Sequence, residues 1–347
     1  MQGGRRRLDA SVAPEYDLPT REPRLGSART ARLVMIGVFS MWVVGTLGAA
    51  SSVVAVDVPG WVERPSAALL MLVFTIGLIH RGGGHMRIWV PIVTALGTAA
   101  VVLETYFLLA SSAVVCAVLA AVWAVLVTRP AASVLAAIRE YALALVVALS
   151  GTVSVAAWNA PVNYQRFNFI VVMVSLVVAI ALVWNLGAGL HGLGRQNLAI
   201  LAGVAALLLV ILAYSSFVRT HGSQAVVDLF SDIVVWSRQN FEGVPRPVEV
   251  FIGFPALIVG VSMRSTRREG WWVLVFAVIG TAVLTTSLVT PGAFPTYVGL
   301  STLYSVILGL GVGLIVRHYV MRERSARAAR AIEPIERVEP PRFAALK

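Results

Sequence analysis

Residues 88–127 read IWVPIVTALGTAAVVLETYFLLASSAVVCAVLAAVWAVLV, an apolar run about twice the ~20 residues of helix that cross a hydrocarbon core ~30 Å thick. Glu104, Thr105 and Tyr106 interrupt it with polar groups. The run therefore divides there into two spans, 88–106 and 108–127. Hydrocarbon offers no partner to an amide, so each span has to bond its own backbone, and the helix is the element that does so within one segment.

Working outward, the same reading finds further spans at 33–56, 66–79, 141–158, 167–190, 197–217, 250–263, 271–289 and 297–316. The fold class expected is all-α, a polytopic transmembrane helix bundle of about ten spans. Composition agrees: 58% of the 347 residues are hydrophobic and 13% charged, against roughly a quarter charged in soluble chains. The mean hydropathy is +0.82. The segments at 66–79 and 250–263 are short for a crossing, and fit if they extend into their flanks or re-enter the membrane.

Arginine position gives a test independent of hydropathy. With both termini in the cytoplasm, the inner loops carry Arg81 and Arg87, Arg129 and Arg139, Arg195, and Arg264, Arg267 and Arg268. Both tails are arginine-rich as well. Of 28 basic residues only Arg64, Arg166, Arg219, Arg238 and Arg246 fall outside. This alternation accounts for the net charge of +11 and a pI near 10.7. It indicates the lipid bilayer and anionic lipids as partners, and no nucleic acid, since no binding module accompanies the charge. The expected location is a bacterial cytoplasmic membrane.

Residues 1–32 read as a disordered basic cytoplasmic tail, 33–316 as the membrane domain and 317–347 as a second basic cytoplasmic tail. A helical continuation over 322–332 is compatible with that division. Arg5, Arg6 and Arg7 precede the first apolar run by too far to form an export signal, and the run itself reads as an uncleaved anchor. Between the seventh and eighth spans, Val226, Leu229, Phe230, Ile233, Val234, Trp236 and Phe241 share one helical face. Asp228, Ser231, Asp232, Arg238, Gln239 and Glu242 share the other. That pattern predicts an interfacial amphipathic helix near 224–241, ending at Gly243.

Residues with the chemistry for a site are few. Glu104 is the candidate for proton or ion coupling, because an acid inside a span faces a cavity, a partner or the interface; capping a helical hairpin is the alternative. Asp57 and Glu63, in the first outer loop, are the acids available to an outward-facing transferase. Arg219, His221, Arg238 and Arg246 flank the amphipathic helix and suit phosphate. No catalytic residue, cofactor or metal is indicated. Gly187, Gly189 and Gly192 have dinucleotide-fingerprint spacing but end a membrane helix instead of following a strand. The five histidines lack ligand spacing, and Cys116 is the single cysteine. Gly309, Gly311 and Gly313 read as a close-packing helix face.

The run 246–314, with Gly253, Pro255, Gly280, Thr286, Thr290, Pro291 and Gly309, resembles the C-terminal membrane region of an uncharacterised bacterial family of multi-spanning envelope proteins associated with polysaccharide pyruvyl transferases. Ser287, Leu288 and Val289 stand where that family carries a histidine segment. The resemblance implies a place in envelope glycan assembly and supplies no catalytic residue. Three functions follow as expectations. The leading one is a non-enzymatic envelope protein that handles or moves a lipid-linked glycan or other amphiphile, with envelope-assembly proteins as possible partners. The others are an ion- or proton-coupled small-solute transporter using Glu104, and a glycosyl or acyl transferase using Asp57 or Glu63.

Overall fold

The computed structural model describes residues 25–54, 59–186, 224–266, 269–289, 294–328 and 339–346. The span expected at 197–217 and the glycine motif at 187–192 lie outside the described residues. In chain order the helices are α1 (Leu25–Ala50), α2 (Glu63–Gly82), α3 (Met86–Leu103), α4 (Tyr106–Leu126), α5 (Val134–Ala157), α6 (Tyr164–Asn185) and α7 (Gln224–Phe241). A π-helical turn (Glu249–Gly253) leads into α8 (Phe254–Arg264), followed by α9 (Gly270–Thr285), a 3-10 turn (Ser287–Val289) and α10 (Pro295–Ala328). Among the described residues, eight helices are long and apolar enough to cross a membrane. The chain is a multi-pass protein of membrane type, all-helical among the described residues.

Two compact units are present, 1–40 and 41–347. In the first, the described residues are the opening turns of α1, where Leu33, Val34, Ile36 and Phe39 are exposed. The second unit holds the bundle. Its core is α9, with 78% of its apolar window buried, against 17% for α3. That difference separates a central post from a peripheral helix with most of its apolar surface exposed.

Close packing around α9 depends on glycine. A Cβ on Gly253 would stand 2.3 Å from the Gly280 Cα, and one on Gly280 would stand 2.7 Å from the Gly253 Cα. The π turn and α9 therefore touch backbone to backbone, the contact that small residues permit between membrane helices. Gly309 and Gly313 of α10 face Phe254 and Ile258 of α8, while a Cβ on Gly311 would meet nothing within 4 Å. The expected three-glycine face is thus a two-glycine face. Successive residues turn by 100° around a helix, so position 311 points away from 309 and 313.

The long apolar run breaks where expected, although its boundary differs slightly. α3 ends at Leu103, and Glu104 closes it with φ 49° in the left-handed region. Glu104 consequently sits in a two-residue turn and outside the span. The short segment at 250–263 opens with the π turn and spans only Glu249 to Arg264. α7 forms as the amphipathic pattern predicts, with Asp228, Asp232, Arg238 and Gln239 exposed. Its left-handed stop is Glu242, φ 52°, and not Gly243. Gly243 instead allows close approach to α10, where a Cβ would lie 2.9 Å from the Ser301 nitrogen.

Two contacts tie residues from 317 onward to the bundle. Arg317 is buried in α10 and donates from Nε to Ser262 Oγ at 2.8 Å. Residues 339–346 return to the bundle, where Leu346 N donates to Arg81 O at 3.1 Å. Long-range ion pairs hold this segment, and no local periodicity announces them.

The glycine contact is testable. Gly280→Val should force the π turn and α9 apart and lower stability by about 3 kcal/mol or more, the upper range for overpacking. Gly311→Ala should be nearly silent. Thermal unfolding followed by size-exclusion fluorescence in detergent measures both, and equal melting temperatures would contradict the packing.

Candidate functional site

Two polar constellations stand out, one at the α3–α4 turn beside the start of α2 and one at the π turn beside α10. In the first, the Arg64 guanidinium pairs with the Glu104 carboxylate at 2.5 Å, with the Glu104 side chain 59% exposed. The left-handed residue at the turn aims its carboxylate across to α2, closing a clasp on the helical hairpin. An exposed pair of this kind contributes about 0–1 kcal/mol. Glu63 lies one residue earlier in the first turn of α2, half-buried. Asp57, Arg219 and His221 lie outside the described residues.

Glu249 forms the second constellation, and it is the residue that sequence reading passed over. It stands at the first position of the π turn, completely buried. Arg246 NH1 donates to Glu249 Oε1 at 2.8 Å and to Thr302 Oγ1 at 3.3 Å, while Arg246 N donates to Ser305 Oγ at 2.8 Å. The other carboxylate oxygen, Oε2, is buried without a well-aligned donor; the Ser305 hydroxyl is the polar group that approaches the carboxylate. Tyr141 lies within electrostatic reach of Glu249, donates its hydroxyl to Val306 O at 2.9 Å, and packs edge-on against Phe254 at 5.8 Å. A π turn widens the helix by one residue per turn, and such bulges often sit at functional positions. The signal available in the sequence was Glu249 directly preceding an apolar run, with Arg246 three residues earlier.

Arg238 and Arg246, expected to suit phosphate, both have partners within the protein. The Arg238 guanidinium lies 4.9 Å from the centre of the Tyr297 ring. Beside it, Tyr304 donates its hydroxyl to Phe241 O at 2.9 Å, tying the end of α7 to α10. Trp236 and Phe241 stack edge-on at 5.5 Å and remain about half exposed.

An open cavity of about 250 Å³ lies among the ends of α1, α5, α6, α9 and α10. Its wall is apolar at Ala113, Val155, Val162, Phe167 and Val289, and polar at Ser52 and Asn159. Asn159 adopts φ 45°, so the chain turns sharply after α5. Next to it, Asn163 caps α6 by accepting from Arg166 N at 3.2 Å, and Thr286 donates to Asn168 Oδ1 at 2.8 Å. Among the described residues, no group of three or more His, Cys, Asp or Glu side chains is placed to hold a metal. Cys116 is buried, 3.0 Å from Ser154 Oγ.

The two ion pairs should behave differently. Glu104→Gln should cost less than about 1 kcal/mol. Arg246→Gln, by leaving a buried carboxylate without its cation, should cost about 3–5 kcal/mol. Adding Glu249→Gln to Arg246→Gln should recover most of that loss. A double-mutant cycle by chemical denaturation checks this, and additive losses would show that the buried pair is not coupled.

No protein-family model matches the chain, and no curated protein or solved structure matches it either.

Proposed function

We propose that this chain is a protein of the bacterial cytoplasmic membrane that holds or moves a lipid-linked glycan, or a comparable amphiphile, during envelope assembly, without transforming it. The open cavity of about 250 Å³ carries this reading. Val155, Val162 and Phe167 in its wall suit an acyl or prenyl chain, and the polar part of the wall, with Ser52 and Asn159, suits the first polar groups of a head. α7 supports the same reading. It presents half-exposed Trp236 and Phe241 beside a charged face, the composition of a helix that lies in a headgroup boundary. Arginine alternation supports the orientation, which puts cavity and α7 on the outer side and both termini in the cytoplasm. The resemblance over 246–314 supports a place beside envelope-assembly proteins, and anionic lipids are the expected surroundings.

Filling the cavity tests the proposal. Ala156 lines it and is half-buried, so Ala156→Trp should occupy the space while leaving the bundle folded. Photocrosslinking to a polyprenyl-phosphate sugar probe should fall at least about tenfold, the effect of losing ~1.4 kcal/mol of binding. Unchanged crosslinking in a folded variant would remove the cavity from the account.

A proton-coupled solute transporter is the second reading, and a specific observation moves it from Glu104 to Glu249. Glu104 is exposed in a turn and paired with Arg64. Glu249 is a completely buried carboxylate with one poorly satisfied oxygen in a π turn, the setting in which intramembrane acids act in ion pathways. In proteoliposomes carrying an imposed proton gradient, Glu249→Gln should abolish gradient-driven uptake and Glu104→Gln should leave it intact. Equal uptake by both variants would exclude Glu249 as the coupling group.

A further inference from the structure

At the opposite end of the bundle, where α2, α4 and α8 finish and α5 and α9 begin, arginines outnumber acids around the returning segment 339–346. Arg264 is completely buried. Its Nε and NH2 donate to the two Glu339 oxygens at 3.3 and 2.5 Å, and NH1 and NH2 donate to Thr128 Oγ1 and O at 3.0 and 3.2 Å. Its guanidinium lies 3.8 Å from the Trp271 ring centre. Arg81, also completely buried, donates from NH1 to the Pro341 and Ala344 carbonyls at 2.6 and 2.8 Å. The Arg81 Nε and NH2 nitrogens are buried without a hydrogen-bond partner. Arg81 is repelled by Arg264, Arg129 and Arg342, and attracted by Glu339.

We propose that Arg81, Arg264 and Thr128 form a binding site for a phosphate group, which the chain's own Glu339 fills, and that a phosphate-bearing ligand enters by displacing residues 339–346. Arg81 lies within electrostatic reach of both Arg264 and Glu339, and neighbouring planar guanidiniums are an arrangement that recognises phosphate. A carboxylate has two oxygens, and both are spent on Arg264. A phosphate group has further oxygens to offer to the Arg81 Nε and NH2 donors, which make no hydrogen bond here. Charge argues in the same direction. The segment brings one acid, Glu339, and one base, Arg342, so its docking leaves the positive excess of the floor uncancelled. A dianion cancels it.

The docked segment is also built to leave. Its second ion pair is Arg342 to Glu140, at 2.7 and 2.8 Å. When Arg342 departs, Glu140 keeps Arg129 N at 2.9 Å and Arg139 NH2 at 3.1 Å. Release therefore leaves no orphaned buried acid. Arg264 keeps Thr128 and the Trp271 face, whereas Arg81 loses both carbonyls and is left needing an anion. This site lies away from the cavity and stands independently of the amphiphile reading.

Spin labels on cysteines at His85 and Phe343, both exposed, in a Cys116→Ser full-length protein, report whether the segment is docked. The protein is placed in phosphatidylcholine nanodiscs, and either inorganic phosphate is added or the lipid is replaced in part by phosphatidic acid. Either probe should move the distance distribution from a short to a long population; a response to inorganic phosphate assigns a soluble source, and a response to phosphatidic acid alone assigns a lipid headgroup. Glu339→Gln and Arg342→Gln, both outside the helices, should lower the midpoint of the response about tenfold by removing the internal competitor. In the Glu339→Gln background, phosphate binding by calorimetry should be lost on Arg81→Gln. No response to either probe, or a Glu339→Gln variant with the wild-type midpoint, would overturn the proposal even if Arg81→Gln fails to fold.

Discussion

Contact between two glycine backbones, at Gly253 and Gly280, is the constraint on which the rest of the bundle depends. Apolar side chains gain little by leaving lipid for one another, so helices in a bilayer associate through close van der Waals packing and hydrogen bonds. The absence of a Cβ at both positions lets the π turn and α9 meet directly. Once they meet, α9 becomes the post against which α4, α5, α6 and α8 pack, and α10 closes on α8 through Gly309 and Gly313. The same contact positions Glu249, because the π turn that contains it is the turn pressed against Gly280.

Hydrogen bonds between helices then lock the arrangement. Thr281 Oγ1 donates to Ala121 O at 2.9 Å, Thr152 Oγ1 to Leu284 O at 3.0 Å, and Trp42 Nε1 to Ser150 Oγ at 3.0 Å. Short hydroxyl side chains serve this purpose well. They satisfy themselves on a carbonyl within reach and still allow the helices to approach closely. Buried charge is rarer: Glu249 has one cation, and the arginines around 339–346 exceed their acids.

The two ends of the bundle have different physical characters. One carries an open cavity, a helix with half-exposed aromatic residues and isolated ion pairs, a surface suited to an amphiphile. The other is rich in guanidinium groups and is covered by the chain's own segment 339–346. The amphiphile-handling role and the phosphate-gated cover proposed above lie at opposite ends. Each can therefore be altered without altering the other.

The sequence by itself determined what bilayer physics reads from local composition. Helical spans follow from apolar runs of sufficient length, the break at Glu104 and Thr105 follows from polar groups within the run at 88–127, and α7 follows from its 3.6-residue periodicity. These properties are set by residues close together in the chain, so they are legible without a fold. Tertiary structure alone decided which acid is buried. Glu104 lay in the apolar run yet faces water beside Arg64, whereas Glu249 lay at the margin of a loop yet is enclosed by α10 and Tyr141. It also decided that only two of three glycines in α10 face α8, and that residues 339–346 return to Arg81 and Arg264. Burial and ion pairing join residues far apart in the chain, Glu339 to Arg264 and Arg342 to Glu140, and no spacing in the sequence encodes which distant partner a charge will meet.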